Sequence, residues 1–327
     1  MNRSRIVSVG SAVPKKLLTN ADLEKLVNTS DEWITTRTGI KERHVVVEGE
    51  RFSELCTRAA DAALKRAHVK PEELDTIIVG TISGDMPFPA TACLVQKNLG
   101  ASRAAAFDLQ AACVGFLYGL HVADGLIQSN KAANVLVIGG EILTRYVDWT
   151  DRSTCVLFGD GAGAAVVQAT KGDHGILGTI MKSNGEYQDF ICMPGGGSNY
   201  PANDPKCIEQ KLAFIRMKGN ETFKVAVKAM ADVSAELLAE QGFTKEDVHV
   251  FIPHQANARI IDAVGERMKF PAERVYKNVD RYGNTSAASI PIAMDECLRD
   301  GRIKTGDLVL LTAFGAGLVW GSVLVRW

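Results

Sequence analysis

"FDLQAACVGFLYGL", residues 107–120, is the stretch on which the fold turns. Small residues, Ala111 and Ala112, precede the apolar run Val114-Gly115-Phe116-Leu117, which predicts a strand-to-helix crossing with Cys113 at the helix mouth. A thiol placed there faces unpaired N–H groups and the positive end of the helix dipole, and both favour the thiolate. A small buried core cysteine, the commoner fate of a free thiol, fits the same stretch. The rest of the chain has to separate the two.

Strands alternate with helices on both sides of this stretch, the pattern of a mostly parallel sheet with helical crossovers. "RIVSVG" is followed by the helix-like "NADLEKLV", with Asn20 as its expected N-cap. "DTIIVGTIS" precedes "TACLVQKNLG", and "ANVLVIGGE" follows the Cys113 helix. A shift of 173 carries Ile6-Val7 to Thr179-Ile180, Ile77-Ile78-Val79 to Val250-Phe251-Ile252, and Val135-Leu136-Val137 to Leu308-Val309-Leu310. The last strands, "GAAVVQA" and "GSVLVRW", match at 157, which leaves an extra segment near "RYVDWTDRSTCVLF" in the first half. Four strands in one order predict a duplicated α/β unit, with halves at 1–172 and 173–327. The same shift carries Thr81 to His254 and Cys113 to Ser286, within "YGNTSAASIPIAM". Ligand sites in α/β sheets favour the carboxyl ends of strands, so a site built from Cys113, His254 and the Asn284 loop is expected.

Composition narrows the classes. The chain has 327 residues, 46% hydrophobic and 23% charged, and a formal net charge of −1, which excludes a general nucleic-acid binder. Seven cysteines lack CxxC or Cys/His ligand spacing, which fits a reducing cytoplasm better than a disulfide framework or a zinc site. No apolar run reaches membrane-spanning length, and "MNRSRIVSVGSAVP" reads as a first strand rather than a signal peptide. "FGDGAGAAVVQA" looks like a phosphate loop, but a dinucleotide loop lies between strand and helix, and "AAVVQA" is itself β-rich. Its glycines are expected to permit close packing. No nicotinamide cofactor and no metal are expected.

A cysteine, a histidine and an asparagine suit two chemistries. In a cysteine peptidase the histidine deprotonates the thiol and the asparagine orients the ring, but "QAACVGF" lacks the C-G-[SA]-C-[WY] signature. The other is acyl transfer with carbon–carbon bond formation. "DLQAACVGFLYGL", "PHQANARII", "RYGNTSAASIP" and "AFGAGLVWGS", with "TSDEWITTRTGIKER" and "FGDGAGAAVV", together resemble β-ketoacyl-acyl-carrier-protein synthase III, the initiating condensing enzyme of type II fatty acid synthesis. The blocks run in family order from about residue 30 to the C-terminus.

The resemblance implies a thiolase-like α/β fold, five layers αβαβα built from two duplicated halves. It implies that Cys113 takes the acyl group from an acyl-CoA, acetyl-CoA being the expected primer, and that His254 and Asn284 serve a decarboxylative condensation with malonyl-acyl carrier protein. The oxyanion donors are expected to be the N–H groups of Cys113 and Ala316. Trp33 and Arg152 match the residues that sandwich the CoA adenine, Arg37 the phosphate-side arginine and Asn257 the pantetheine-side asparagine. Acyl-CoA is then a substrate, and no cofactor is needed.

The carrier protein is acidic, so Gln255, Arg259, Lys224 and Arg267 are the expected docking residues, although Glu266 departs from the strongly basic pattern of some relatives. Phe88, Phe158, Phe190 and Met193 are expected to line the acyl pocket, with Phe88 in "SGDMPFPATAC" reaching across a homodimer. Two other readings stay open: a related CoA-dependent condensing enzyme or acyltransferase of secondary metabolism, and a non-catalytic scaffold partner of a condensing enzyme. Scaffolds lose the nucleophile, and Cys113 is present.

Overall fold

The computed structural model describes residues 3–327. Chain order begins with β1 (Arg3–Ala12), β2 (Lys16–Thr19), α1 (Asn20–Leu23), α2 (Asp31–Thr38) and β3 (Glu42–Val45). Then come α3 (Phe52–Ala67), β4 (Thr76–Gly80), α4 (Thr91–Leu99), β5 (Ala105–Leu109) and α5 (Gly115–Gln128). β6 (Asn134–Ile142), β7 (Asp160–Thr170), β8 (Gly175–Ser183), β9 (Ile191–Cys192), α6 (Pro205–Glu209) and β10 (Arg216–Met217) follow. The chain closes with α7 (Gly219–Glu240), β11 (Val250–Pro253), α8 (Ala258–Arg267), α9 (Val279–Tyr282), α10 (Ser289–Arg299), β12 (Leu308–Gly315) and β13 (Val319–Arg326).

Two sheets carry the fold. One runs β1-β7-β6-β4-β5 and the other β8-β13-β12-β11, the order that the repeat predicts, with β1 answering β8 and β6 answering β12. β4 pairs in parallel with β5 and β6, and β11 in parallel with β12, while β7 and β13 run antiparallel to their neighbours. The second sheet has no full counterpart of β5. A single parallel bridge from Val275 to Phe251 stands where β5 pairs with β4 in the first. The extra segment lies where expected: residues 143–159 join β6 to β7, whereas 316–318 alone join β12 to β13.

Burial explains the layering. The inner parallel-paired strands β4, β6, β11 and β12 are buried almost throughout, as parallel strands covered on both faces must be. α3 buries Phe52, Leu55, Cys56, Ala59, Ala60, Ala63 and Leu64, one face of a 3.6-residue period, against the first sheet. α7 does the same for the second sheet through Met230, Ala231, Leu237 and Leu238. α5 and α10 lie between the sheets, where Phe116, Leu117, Leu120, Ile290, Ala293 and Met294 share one cluster with Val137, Leu311 and Val323. The result is α3/α4, sheet, α5/α10, sheet, α7/α8: the expected αβαβα.

One local expectation fails. Asn20 is not a cap: Thr19 takes that role, its hydroxyl accepting from the Asp22 N–H, and α1 ends at Leu23. Asn20 is buried instead, donating to Asp31 and the Ile40 carbonyl and accepting from Arg43. The competing tertiary contacts, rather than local propensity, set the residue's role.

The glycines of "FGDGAGAAVV" do allow close packing. A Cβ on Gly159 would lie 2.2 Å from the Tyr282 carbonyl oxygen and 3.0 Å from the Arg43 Cβ. The Gly159 N–H donates to the Asn284 carbonyl (3.0 Å) and the Asn284 N–H to the Leu157 carbonyl (2.8 Å), so this contact locates the asparagine. Gly159→Ala is therefore expected to destabilise the protein by about 1–3 kcal/mol, the usual cost of overpacking. A urea unfolding midpoint equal to that of the unaltered chain would refute it.

Candidate active site

The crossing into α5 is a 3₁₀ turn, Ala112–Val114, and its counterpart before α10 is Ser286–Ala288. Ala112 (φ 43°) and Ser286 (φ 50°) both adopt the left-handed conformation, unusual without glycine. These two strained residues are the structural equivalents. Cys113 therefore answers to Ala287, one position later than the shift of 173 indicates.

The Ser286–Ser289 segment touches each member of the expected trio. The Ser286 hydroxyl lies 3.3 Å from the Cys113 sulfur, and its backbone N–H donates to the Asn284 Oδ1 (2.9 Å). Ser289 Oγ is 2.6 Å from the His254 Nδ1 and accepts from the Gln255 N–H at 3.3 Å. His254 stands at the carboxyl end of β11, its own N–H donating to the Thr312 carbonyl of β12. Gly315, at the end of β12, is so close that a Cβ there would lie 2.9 Å from the Cys113 nitrogen. That places the end of β12, immediately before Ala316, against the cysteine amide.

The electrostatics depart from the expectation drawn from the helix mouth. Burial works against the N-terminal field and pushes the Cys113 thiol up to about 11, helped by nearby Glu141 and opposed by the Ser286 hydroxyl. Burial also pushes His254 down to about 3, so its ring is neutral. Glu141 itself, 0% exposed at the end of β6, is pushed up to about 8 by burial despite the hydroxyls and N–H groups around it.

Sequence reasoning did not find Glu141 or Ser289. A charged residue ending the apolar run "VLVIGGEIL" was a usable signal, because a carboxyl buried in a covered strand needs a reason. Ser289 carried no such signal among the serines and alanines of "NTSAAS".

The remaining predicted residues divide. The Arg152 guanidinium lies 4.8 Å from the Trp33 ring centre and that of Arg37 5.9 Å, so the three do cluster. A purine between two planes needs about 7 Å, twice an atomic contact of about 3.5 Å, so a base has to part Arg152 from Trp33. Asn257 caps α8, accepting from the Arg259 N–H, and donates to the Arg37 carbonyl at 3.3 Å. Gln255 does not reach the surface. It is 1% exposed, donating to the Pro253 and Tyr276 carbonyls and accepting from the Asn278 N–H, so it is withdrawn as a docking residue. Lys224, Arg259 and Arg267 are exposed, the last paired with Asp232 at 3.2 Å.

Phe158 is buried and bridges to Asn284, whereas Phe190 packs on Tyr187 (ring centres 4.9 Å apart) under the Lys218 ammonium. Met193 is exposed near by, and Phe88 is 85% exposed on its loop. Among the described residues no helix is long and apolar enough to cross a membrane.

The profile of the family described as 3-oxoacyl-[acyl-carrier-protein (ACP)] synthase III matches residues 107–185, and its C-terminal profile matches 238–327. A beta-ketoacyl-[acyl-carrier-protein] synthase III from Caldanaerobacter subterraneus is 52% identical over 322 residues, 98% of this chain and 97% of its own. The crystal structure of 3-oxoacyl-[acyl-carrier-protein] synthase III from Aquifex aeolicus superposes with a TM-score of 0.92 at 51% identity, covering 99% of this chain and 100% of that one. The priming beta-ketosynthase of the R1128 polyketide pathway shares the fold at a TM-score of 0.91 and 33% identity, over 99% of this chain and 96% of its own.

Proposed function

The chain belongs to the β-ketoacyl-acyl-carrier-protein synthase III family, the acyl-transferring condensing enzymes of fatty acid synthesis, and on that premise we propose how its residues divide the reaction. Cys113 takes the acyl group of an acyl-CoA as a thioester, splitting one difficult condensation into two easier steps. The N–H groups of Cys113 and Ala316 hold the oxyanion, a reading supported by the contact of Gly315 with the cysteine amide. Malonyl-acyl carrier protein then loses CO₂. The enolate oxygen takes hydrogen bonds from His254 and Asn284, and the enolate carbon attacks the acyl-cysteine.

One observation carries this division: the segment Ser286–Ser289 aims both donors. The Asn284 Oδ1 is occupied by the Ser286 N–H, which leaves the Nδ2 protons to point elsewhere. Ser289 accepts from the Gln255 N–H and keeps its own hydrogen to donate to the His254 Nδ1; in that arrangement, the one we adopt, the neutral ring carries its proton on Nε2. Ser289 is thus a positioning residue. Two N–H donors that cannot both act as bases suit an enolate clamp better than a proton relay. Mass spectrometry of Cys113 after exposure to mixed acyl-CoAs tests the reading and identifies the primer. An acyl adduct on any other residue, with Cys113 unmodified, overturns it.

Adenine is read as stacking at Trp33 and Arg152, with Arg37 on the phosphate side. Trp33→Ala is expected to raise the acyl-CoA KM several-fold more than it lowers kcat, because the contact is remote from bond making. Unchanged KM with lost thermal stability would make the indole a packing residue instead. Lys224, Arg259 and Arg267 are read as the carrier-protein face, and the exposed Phe88 as covered by a second copy of the chain in a homodimer. We divide the chain into halves 1–172 and 173–327, the first carrying the nucleophile and the second both enolate donors. Seven unpaired cysteines support a cytoplasmic setting.

A further inference from the structure

Glu141 is a fully buried carboxyl that the reaction as described above does not use. It sits in a cage of donors: Ser83 Oγ, Thr81 Oγ1 at 3.1 Å from Oε2, and the Ile82 N–H at 3.1 Å from Oε1. Among the described residues, no salt bridge to Glu141 offsets its charge. The fourth donor is different, because it leads out of the cage. Ser286 Oγ lies 3.5 Å from Glu141 Oε1 and 3.3 Å from the Cys113 sulfur, bridging the two. The longer contact is at the limit of hydrogen-bond reach, which is common in unliganded sites that tighten on substrate.

A serine hydroxyl has one hydrogen, so it donates to one neighbour while accepting from the other. With Glu141 ionised, Ser286 donates to the carboxylate and the thiol hydrogen points at Ser286. With Cys113 ionised, Ser286 donates to the sulfur and the carboxyl hydrogen points at Ser286. The two states differ by one proton passed along the chain. We propose that Glu141, acting through the Ser286 hydroxyl, takes the Cys113 proton as the sulfur attacks the acyl-CoA. It is therefore a positioning and proton-holding residue of the loading half-reaction.

The step balances. The S–H bond breaks and its proton passes to Ser286 Oγ, while the serine proton passes to Glu141 Oε1. The freed sulfur pair forms the bond to the acyl carbon, and the carbon–sulfur bond to CoA breaks with its pair going to the CoA sulfur. The CoA sulfur takes the proton back along the same chain and leaves as the thiol, restoring the carboxylate. His254 is the poorer acceptor, pushed down to about 3 by burial, whereas Glu141 is pushed up to about 8. The other ionisable groups facing Glu141 are Cys56 on α3 and Tyr146 after β6, both raised by burial, with Asp85, Asp108 and Arg145 beyond them.

The inference rests on Cys113 being the nucleophile, and the test separates the two. Single-turnover loading of labelled acetyl-CoA onto Cys113 is followed from pH 6 to pH 10 in the wild-type chain and in Glu141→Gln. Wild-type loading is expected to rise with pH and level off above about 8, as the carboxyl ionises. Glu141→Gln is expected to load about 10²-fold more slowly near neutrality, the lower end of general acid–base effects. Its rate should keep climbing at pH values above the wild-type plateau, limited by the ionisation of a thiol that burial still holds above its ordinary value, and so approach the wild type at the alkaline end. A merely structural role would lower the rate without changing the shape of the profile. Ser286→Ala, which leaves the carboxyl in its cage and keeps the backbone N–H on Asn284, should reproduce the altered profile, and it decides the matter if Glu141→Gln does not fold. No label on wild-type Cys113 overturns the nucleophile assignment. Label on Cys113 with parallel profiles in wild type and variants overturns the relay alone.

Discussion

Cys113→Ser is expected to yield a folded protein that takes up no acyl label from acetyl-CoA and forms no condensation product. The side chain keeps its place at the mouth of α5 and a group that can still hydrogen-bond Ser286, so nothing in the packing of the middle layer is lost. What disappears is nucleophilicity. Even pushed up to about 11, the thiol ionises far more readily than a hydroxyl, and a carboxylate near 8 that reaches it through Ser286 is too weak a base to ionise a serine there. Deleting a nucleophile while binding and oxyanion contacts remain costs on the order of 10⁶-fold in comparable systems. The checks are scintillation counting of the protein after labelled acetyl-CoA and a thermal melt that should match the wild type. Acetylation of the serine variant at a rate within tenfold of wild type would remove Cys113 from the nucleophile's role. Acetyl label on wild-type Cys113, together with a folded, unlabelled variant, would also dispose of the scaffold reading.

How much of this was legible in advance depends on how far each feature reaches along the chain. The duplication was legible because strands buried on both faces must be apolar runs, and "DTIIVG", "HVFIP" and "DLVLL" cannot disguise themselves. The register of the helix mouths was not, since a one-residue difference in the loops before Cys113 and Ser286 leaves no mark on an apolar pattern. It shows only in the left-handed φ of Ala112 and Ser286. Asn20 failed as a cap because its partner Arg43 comes to it from β3, and no local rule can see a buried arginine 23 residues away. Gln255 failed for the converse reason. It follows His254 in a polar segment that looks exposed, yet its amide is consumed by carbonyls of Pro253 and Tyr276. The thiolate expectation failed on magnitude: the helix field is worth up to about 2 kcal/mol, and burial of a charged sulfur costs more. Chemistry carried by residue type was visible, and chemistry carried by environment was not.

Asn284→Ala should separate the two half-reactions. The enolate oxygen to which its Nδ2 is assigned exists only once malonyl-thioester decarboxylation begins, whereas the oxyanion of acyl transfer to Cys113 is assigned to the backbone amides of Cys113 and Ala316. The local structure should tolerate the change, because the Asn284 backbone is held independently, its N–H on the Leu157 carbonyl and its carbonyl on the Gly159 N–H. The alanine leaves the Ser286 N–H without its side-chain acceptor, so some loosening of that turn is expected, and a thermal melt measures it. Losing one preorganised donor costs about 10²–10³ in rate, which is the drop expected in CO₂ release from malonyl-acyl carrier protein. Acetyl loading should stay within a few-fold of wild type. His254→Ala should behave alike, and because both donors serve one oxygen, the double variant should lose less than the product of the two single effects. Labelled acetyl uptake measured beside CO₂ release makes the distinction sharp. If Asn284→Ala blocks loading and spares decarboxylation, the asparagine is orienting a histidine base as in a cysteine peptidase, and the enolate clamp is wrong.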